Sequence, residues 1–594
     1  MSTASSLVCS PLATASSACL LPPSKHCAAP SLGKLQGRRL SCRATARSGT
    51  VGDENVVRRN VDRRDVLLGL TGFAAAATTT TNLGQAIAAD DGGAAAEPLC
   101  ATVPITAEVL KCSAVDGFHC PAEYDSRKVV DFRSLPRPRG PPRVRRPAHM
   151  MEDEYVKKFE EAIRRMKELG DEDPRSYKNQ AGIHEAYCDG HYKVVSASSP
   201  EVKFDVHFSS IFAPWHRMYI YFFERILGDL IGDPTFGLPY WNWDAPEGMI
   251  MPSIFANEFS PLYHVNRNPE HARAFMDLNL GPAKQPNLPQ PECNNDNLGC
   301  LIENNLYSMY RQMTVDTPEE FHGGKFCTAG KKYTGSLENG AHTAAHIWVG
   351  NDMGNLKTAA RDPVFYSNHS NVDRMWHLWS TKLGRSDLPY QEWLDTSFVF
   401  YNETKQPVRI RVQDVLDTGK LGYTYEEKKK LEWMKKRPKP STGIRRIAKR
   451  SVTPAATSFP ISLKNGQKEY VTVERPEKAQ RGGGSSKEAP EVLVLDLTVD
   501  PCEYAKFDVL VNVPRGQEEK VGPKNTEYAG SFTHVPHGGG DGGRMMETQE
   551  VSYRLKLREI IEDLKCGRDK RLDITLVPVA GKKTFVNNVR IDIL

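Results

Sequence analysis

The chain has 594 residues, of which 39% are hydrophobic and 25% charged, with a net charge of +5. That length exceeds one ordinary domain, and the composition is that of a globular protein, not of a disordered, collagenous or membrane-embedded one. Part of the positive charge belongs to a basic leader, and no basic patch with interleaved aromatics occurs, which argues against a nucleic-acid partner.

Residues 1–50 contain no Asp or Glu, are rich in Ser and Ala, and carry Lys25, Lys34, Arg38, Arg39, Arg43 and Arg47. This is the composition of an organelle transit peptide. Arg63 and Arg64 then precede a short apolar run from Val66 to Ala77 and a small-residue site at Ala86-Ile87-Ala88. Residues 51–88 therefore read as a twin-arginine export signal, whose apolar run is too short to span a bilayer. Together the two leaders predict plastid import, then passage through the twin-arginine translocation machinery into the thylakoid lumen. The mature chain is expected to begin near Ala89 and to hold no integral membrane segment.

Past the leaders stand Cys100, Cys112, Cys120, Cys188, Cys293, Cys300, Cys327, Cys502 and Cys566. Nine is odd, so outside a reducing compartment one thiol must be unpaired or specially used. No CxxC pair occurs, so a zinc ribbon is not supported.

Residues 127–148 are basic and Pro-rich, an extended strap. Met151, Tyr155, Phe159, Ile163 and Met166 recur at helical spacing and predict a helix over 151–169. HEAYC supplies His184 and Cys188, and VHFSSIFAPWHRMYIYFFERILGDLIGD supplies His207 and His216. From His216 onward Tyr219, Ile220, Phe223, Ile226, Leu227 and Leu230 repeat at three and four. His216 is thus expected to open a buried helix, with Pro214 as its start signal. Residues 256–300 read mostly as loop, and Asn304 to Met313 as another helix. HTAAHIWV places His342 and His346 one turn apart on one helical face. Asp362-Pro363 then starts a further helix that carries His369.

From about 398 alternation at period two replaces helical spacing. Residues 427–455, dense in Lys and Arg up to 450, read as an exposed linker open to proteolysis. Beyond 456 the runs EYVTVE, EVLVLDLTV, YAKFDVLVNV, EVSYRLKL, RLDITLVPV and NVRIDIL, with Gly-rich turns at 482–484 and 538–540, predict an all-β sandwich or barrel. The expected fold class is therefore a mainly α catalytic domain over 89–426, a helical bundle with a short β extension, followed by the linker and an all-β C-terminal domain over 456–594. Only His534 and His537 lie in that last domain, so the chemistry is expected to belong to the helical one.

Thirteen of the 16 histidines fall between residues 119 and 377. His184, His207 and His216 form one candidate trio, and His342, His346 and His369 another. Di-iron bundles require glutamates and Glu-x-x-His pairs, absent from these helices. A catalytic zinc site often mixes one trio with a water and has no need of two trios on separate helices. All-imidazole ligation suits copper. Two copper ions with open positions facing one another can bind O2 between them.

HEAYC, FAPWHR, HTAAHIW and DPVFYSNHSNVDRMW resemble the type-3 copper proteins, specifically the plant polyphenol oxidases (catechol oxidase/tyrosinase). EWLDTSFVFY, the YTYE at 423–426, KFDVLVN at 506–512 and the double leader resemble the same family. The resemblance implies copper A on His184, His207 and His216 and copper B on His342, His346 and His369. It places Asp362, Phe365 and Asp373 in the motif around His369. His191, His322 and His377 fall outside the motif positions. It implies a thioether between Cys188 and His207, which leaves eight thiols for pairing. Glu338 matches the acidic residue that positions a water beside copper B, with Asn339 as its partner. The implied activity is oxidation of small ortho-diphenols to ortho-quinones with O2 reduced to water. The β domain is expected to cover the copper mouth until the linker is cut.

The chain departs from the family in several places. Asn368 replaces a histidine before His369. Leu356 replaces a bulky Phe over copper B, which should widen a mouth formed with Thr343, Ile347 and Phe365. Thr343 stands where Asn often accompanies monophenol hydroxylation, so diphenol oxidation is the expected activity and monophenol hydroxylation at most a weak one. His119 and Glu185 replace both cysteines of one family disulfide; the other implied bridge joins Cys120 to Cys100 or Cys112. Cys293, Cys300 and Cys327 offer a replacement. The rival readings are a haemocyanin-like oxygen carrier, a biosynthetic oxidase acting on one defined phenol, and, because of Asn368, a copper-poor inactive homologue.

Overall fold

A computed structural model describes residues 105–113, 120–137, 140–188, 190–196, 199–280, 296–325, 332–426, 430–443, 458–477, 490–537 and 548–593. The two leader segments, Cys100, His119, Cys293, Cys327 and the Gly-rich turns at 482–484 and 538–540 lie outside the described residues.

The helices that carry the first half are α1 (Asp153–Glu168), α2 (Tyr177–Cys188), α3 (Phe212–Leu230), α4 (Leu298–Met313), α5 (Pro318–His322), α6 (Thr343–Val349) and α7 (Val364–Thr381). In α1, Asp153 and Glu154 favour the positive N-terminal end, and Phe159, Ala162, Ile163 and Met166 bury one stripe. Helix α3 is buried almost all round, as expected of the central helix of a bundle. It begins at Phe212, so His216 sits in its second turn and does not open it. Pro214 lies within the first turn, where a missing N–H costs nothing. Helix α4 starts six residues earlier than the periodicity predicts, because the Asn297 side chain accepts from Cys300 N–H and caps it. Helices α3 and α7 pack together, with Phe223 stacked on Tyr366 at 3.6 Å between ring centroids.

The strap before α1 is held by charge. Its strand Arg143–Arg145 pairs in parallel with Tyr423–Tyr425. Glu224 of α3 accepts from Arg143 Nε at 2.8 Å and Arg145 Nε at 2.6 Å. Asp373 of α7 accepts from Arg145 Nη1 at 3.0 Å and Tyr423 OH at 2.6 Å, and also from Arg217 and Tyr425. Burial alone would raise the Asp373 carboxyl, but the Arg217 and Arg145 guanidiniums outweigh it and hold it below the usual range. Asp373 therefore locks α7 to α3 and to the strap.

The C-terminal half is a two-sheet sandwich of β1 (Ile461–Leu463), β2 (Glu469–Glu474), β3 (Glu491–Val499), β4 (Ala505–Val511), β5 (Tyr528–His534), β6 (Gln549–Lys556), β7 (Arg571–Ala580) and β8 (Thr584–Ile593). One sheet runs β1-β8-β3-β6 and continues into Lys332–Tyr333 of the helical half; the other runs β2-β7-β4-β5. Inward residues such as Leu495, Val509, Phe507 and Leu576 form their shared core. Strand β5 is not among the expected strands, because Gly530 and Ser531 interrupt its alternation. Its pairing with β4, from Ala505↔His534 onward, supplies what its sequence lacks.

The expected linker needs correction. Residues 430–443 are described, and Trp433 is fully buried in the core of the helical half. Thr526 N–H donates to the Lys439 carbonyl at 2.9 Å and Ser441 N–H to Glu527 Oε2 at 3.0 Å, so this stretch is tied down on both sides. A single large aromatic within the Lys-rich run anchors it. Residues 427–429 and 444–457 lie outside the described residues. Among the described residues no helix is long and apolar enough to cross a membrane.

Candidate metal centre

Six segments of the chain bring the six predicted histidines together. His184 comes from α2, His207 from the loop before α3, and His216 from α3. His342 ends the wide turn Glu338–His342, His346 follows on α6, and His369 lies in the second turn of α7. Gly340 lets that turn approach closely: a Cβ there would meet the Gln312 side chain at 2.5 Å.

The donor atoms of His184, His207, His216 and Cys188 all lie within 4.8 Å of one another, as do those of His342, His346 and His369. The two groups face each other, with His216 stacked on His369 at 4.2 Å between centroids and His207 facing His342 at 6.2 Å. His191, His322 and His377 belong to neither group. His322 bonds Asp387 at 2.9 Å, and His377 Nδ1 contacts Thr418 Oγ1 at 3.2 Å.

Local hydrogen bonds fix the ring orientation. His216 Nδ1 donates to Phe212 O at 2.8 Å, His342 Nδ1 to Glu338 O at 3.2 Å, and His346 Nδ1 to Met353 O at 2.8 Å. His207 Nδ1 pairs with Asp205 Oδ1 at 3.2 Å. Each of these rings is thereby left with Nε2 as its lone-pair donor. The Nε2 atoms of His184, His207, His216 and His342 are buried without a partner. Burial depresses the pKa of every one of the six imidazoles, that of His346 to about 4, and so keeps them neutral and able to ligate. Orphaned, neutral, converging imidazole nitrogens with no carboxylate in either group fit a copper site.

Asp205 is not singled out by any of the sequence motifs. Its side chain also accepts His207 N–H at 2.9 Å; the D-x-H spacing of a local Asx turn is the signal that could have found it. Lys332 lies 3.1 Å from its other oxygen and holds the carboxyl well below the usual range despite burial.

Glu338 is buried, accepts Phe208 N–H at 2.9 Å on both oxygens, and is pushed up to about 8 by its burial. Asn339 does not face it. Asn339 Nδ2 donates to Ser531 O at 2.9 Å and its Oδ1 accepts from Thr533 N–H at 2.9 Å, so it binds strand β5. Asn368 is buried and accepts from Trp243 Nε1 at 2.9 Å. The expected mouth is also rearranged. Phe365 is a wall between the two groups, 4.6 Å from the His184 ring and 4.3 Å from His369. Thr343 is buried with its hydroxyl on Glu338 O at 2.8 Å, and Ile347 is half-buried. Leu356 is buried too, and its N–H donates to Pro536 O at 3.0 Å.

The β domain reaches the centre, and its two histidines lie beside the helical donor set. His537 Nε2 lies 3.2 Å from Asp205 Oδ2, and His534 stacks on Phe208 at 5.4 Å. Among the cysteines, Cys112 pairs with Cys120 and Cys300 is also disulfide-bonded. The Cys566 sulfur lies 3.8 Å from Ile561 O. Glu185, in place of a family cysteine, bonds Arg361 at 3.1 Å.

Three family profiles match: the common central domain of tyrosinase over 174–382, the polyphenol oxidase middle domain over 387–439, and the chloroplastic polyphenol oxidase C-terminal domain over 459–593. Polyphenol oxidase II of Ipomoea batatas is 40% identical over 560 residues, 89% of each chain. The (+)-larreatricin hydroxylase of Larrea tridentata is 35% identical, over 92% of each chain. The structure of latent apple tyrosinase superposes with a TM-score of 0.68 at 37% identity, covering 78% of this chain and 99% of that one. Helical core, histidine groups, middle segment and β domain thus agree with one another, and the chain belongs to the plant polyphenol oxidases of the tyrosinase family.

Proposed function

We propose that this chain oxidises small ortho-diphenols to ortho-quinones, with O2 reduced to water, at two copper ions. The observation that carries this is the pair of facing trios of buried, neutral imidazoles. His184, His207 and His216 would hold one ion and His342, His346 and His369 the other. A bound copper pair supplies O2 binding and two-electron redox chemistry. The chain's own groups supply the rest. The Nδ1–H bonds orient the rings, and Phe365 closes the wall between the trios. Glu338 is placed to hold a water and a proton beside the second trio, a role its high pKa suits. The Cys188 sulfur lies within 4.8 Å of a His207 ring nitrogen, a proximity that supports the thioether the resemblance implies. Two copper ions per chain and rapid turnover of catechol by the copper-loaded, cut chain are expected. Copper well under two per chain, or reversible O2 binding without turnover, would overturn the proposal.

A second reading is favoured by the larreatricin hydroxylase among the relatives: a specialised enzyme for one defined phenol. A panel of matched mono- and diphenols separates the two, since a general oxidase turns over most catechols and a specialised one only a narrow set.

The same reading includes latency. Pro536 over Leu356, His537 on Asp205 and Asn339 on β5 all press the β domain against the centre. The solved latent apple tyrosinase supports it. Cutting within 444–457 and removing the β domain should raise catechol turnover by about tenfold or more, equivalent to about 1.4 kcal/mol; unchanged turnover would refute latency. Asn339→Ala removes two bonds across the seam. At about 1 kcal/mol each, it should raise turnover by the uncut chain roughly 5- to 30-fold. An uncut variant as silent as the parent would show that Asn339 does not hold the latent state.

For location, the leader composition and the chloroplastic names of the relatives support a plastid protein. The twin-arginine pattern supports passage through that translocation machinery to the thylakoid lumen.

A further inference from the structure

We propose that a cavity at the seam between the helical half and the β domain binds a single-ring aromatic carboxylate, and that the bound anion holds the two halves together. The proposal rests on the latency reading for its consequence but not for the binding itself.

The cavity has a volume of about 130 Å³. Helix α4 and the turn before His342 wall one side, and β5 and β6 wall the other. A cavity of roughly 150 Å³ accepts benzene, so one ring fits here. Met309, Val315, Leu555 and Ile560 give it apolar walls, and Tyr528 and Tyr553 add aromatic ones. A dry apolar space of this shape would by itself favour a neutral ring.

The charges lining it ask for an anion. Arg311 donates Nε to Pro523 O at 3.3 Å and Nη2 to Asn525 O at 2.5 Å. Both acceptors are carbonyls, which offer no countercharge, and burial lowers the guanidinium to about 10. Arg554 rests over the Tyr333 ring at 4.6 Å, with its Nε buried and without a partner. Among the described residues neither arginine has a carboxylate within ion-pairing distance. Lys556 does have one, Glu559 at 2.9 Å, so that pair cancels. The other lining carboxyl, Glu320, has its pKa raised by burial, and its Oε2 is taken up by the Asp316 and Thr317 N–H groups at 3.0 and 3.1 Å. Its Oε1 and Asn279 Nδ2 are likewise buried without partners. Two guanidiniums without a carboxylate in direct contact and an orphaned amide N–H next to a ring-sized apolar space match a carboxylate carried on one aromatic ring. Inorganic phosphate would meet the charge but leave the apolar walls unfilled.

Because the walls come from both halves, such a ligand binds only when the halves are docked. By mass action it stabilises that form. The cavity backs onto Asn339 and Gly340, three and two residues before His342, so occupancy is felt next to the metal centre.

The test is calorimetric titration of benzoate into the intact, copper-loaded chain. Saturable one-to-one binding is expected, not displaced by an equal concentration of phosphate. Arg311→Gln should weaken it at least about tenfold, and Ser308→Phe, which fills the cavity from α4, should abolish it while leaving thermal unfolding cooperative. Cutting the chain and removing the β domain should also abolish it. No binding to the intact chain, or binding that survives both Ser308→Phe and removal of the β domain, overturns the proposal; the latter result would place benzoate at the metal centre. Benzoate should also slow proteolytic release of the β domain. Turnover that does not rise on cutting would refute latency while leaving the benzoate result to stand or fall by itself.

Discussion

His346→Ala is expected to leave the chain folded but with about one copper ion in place of two, and with catechol turnover lowered more than about 100-fold, beyond the cost of losing only a supporting bond around a ligand. The ring stands on α6, its Nδ1 tied to Met353 O, and faces His342 and His369. Alanine favours the helix, so the local backbone should hold. The second trio is left with two imidazoles, too few to fix an ion against its partner. Metal analysis of the purified variant together with turnover by its cut form checks this. A variant that keeps two copper ions and half its turnover would remove His346 from the ligand set.

Asp373→Ala is expected to cost roughly 3–5 kcal/mol of stability, the range for breaking a buried ion pair from one side. Asp373 is the shared acceptor of Arg145, Arg217, Tyr423 and Tyr425. Its removal strands the buried Arg217 guanidinium, left with only the Val415 carbonyl at 2.9 Å and the Asp373 carbonyl, while Arg145 keeps Glu224 and the Tyr425 hydroxyl. Denaturant unfolding of the copper-loaded chain should show the midpoint fall. Because α7 carries both Asp373 and His369, copper affinity should fall with it. A change below about 1 kcal/mol would mean that the network contributes no more than an exposed ion pair does.

Much of this arrangement is legible in the order of the residues. Period three and four around Phe159 reads as helix because one face of it is buried. Alternation in 571–579 reads as strand for the same reason. The six imidazoles stand out because three of them sit on two helical segments at spacings that suit converging on an ion. Other features are not legible. Trp433 reads as part of a solvated basic run, since one aromatic among lysines has no period. Strand β5 lacks alternation at Gly530 and Ser531. Asn339 reads as a neighbour of Glu338 because the two are adjacent in sequence, yet its side chain turns the other way, onto Ser531 and Thr533.

The sequence by itself determined the local elements and the donor set, because helical and strand periods and ligand chemistry are carried by residues close together in the chain. Only the tertiary structure decided what faces that donor set. His537, Pro536 and Asn339 acquire their roles across separations of about 180 to more than 330 residues. No period or motif records such pairings. They follow from how two hydrophobic cores, each formed by its own half, settle against one another, and that docking buries Leu356 and Asp205 and leaves two arginines without an anion at the seam.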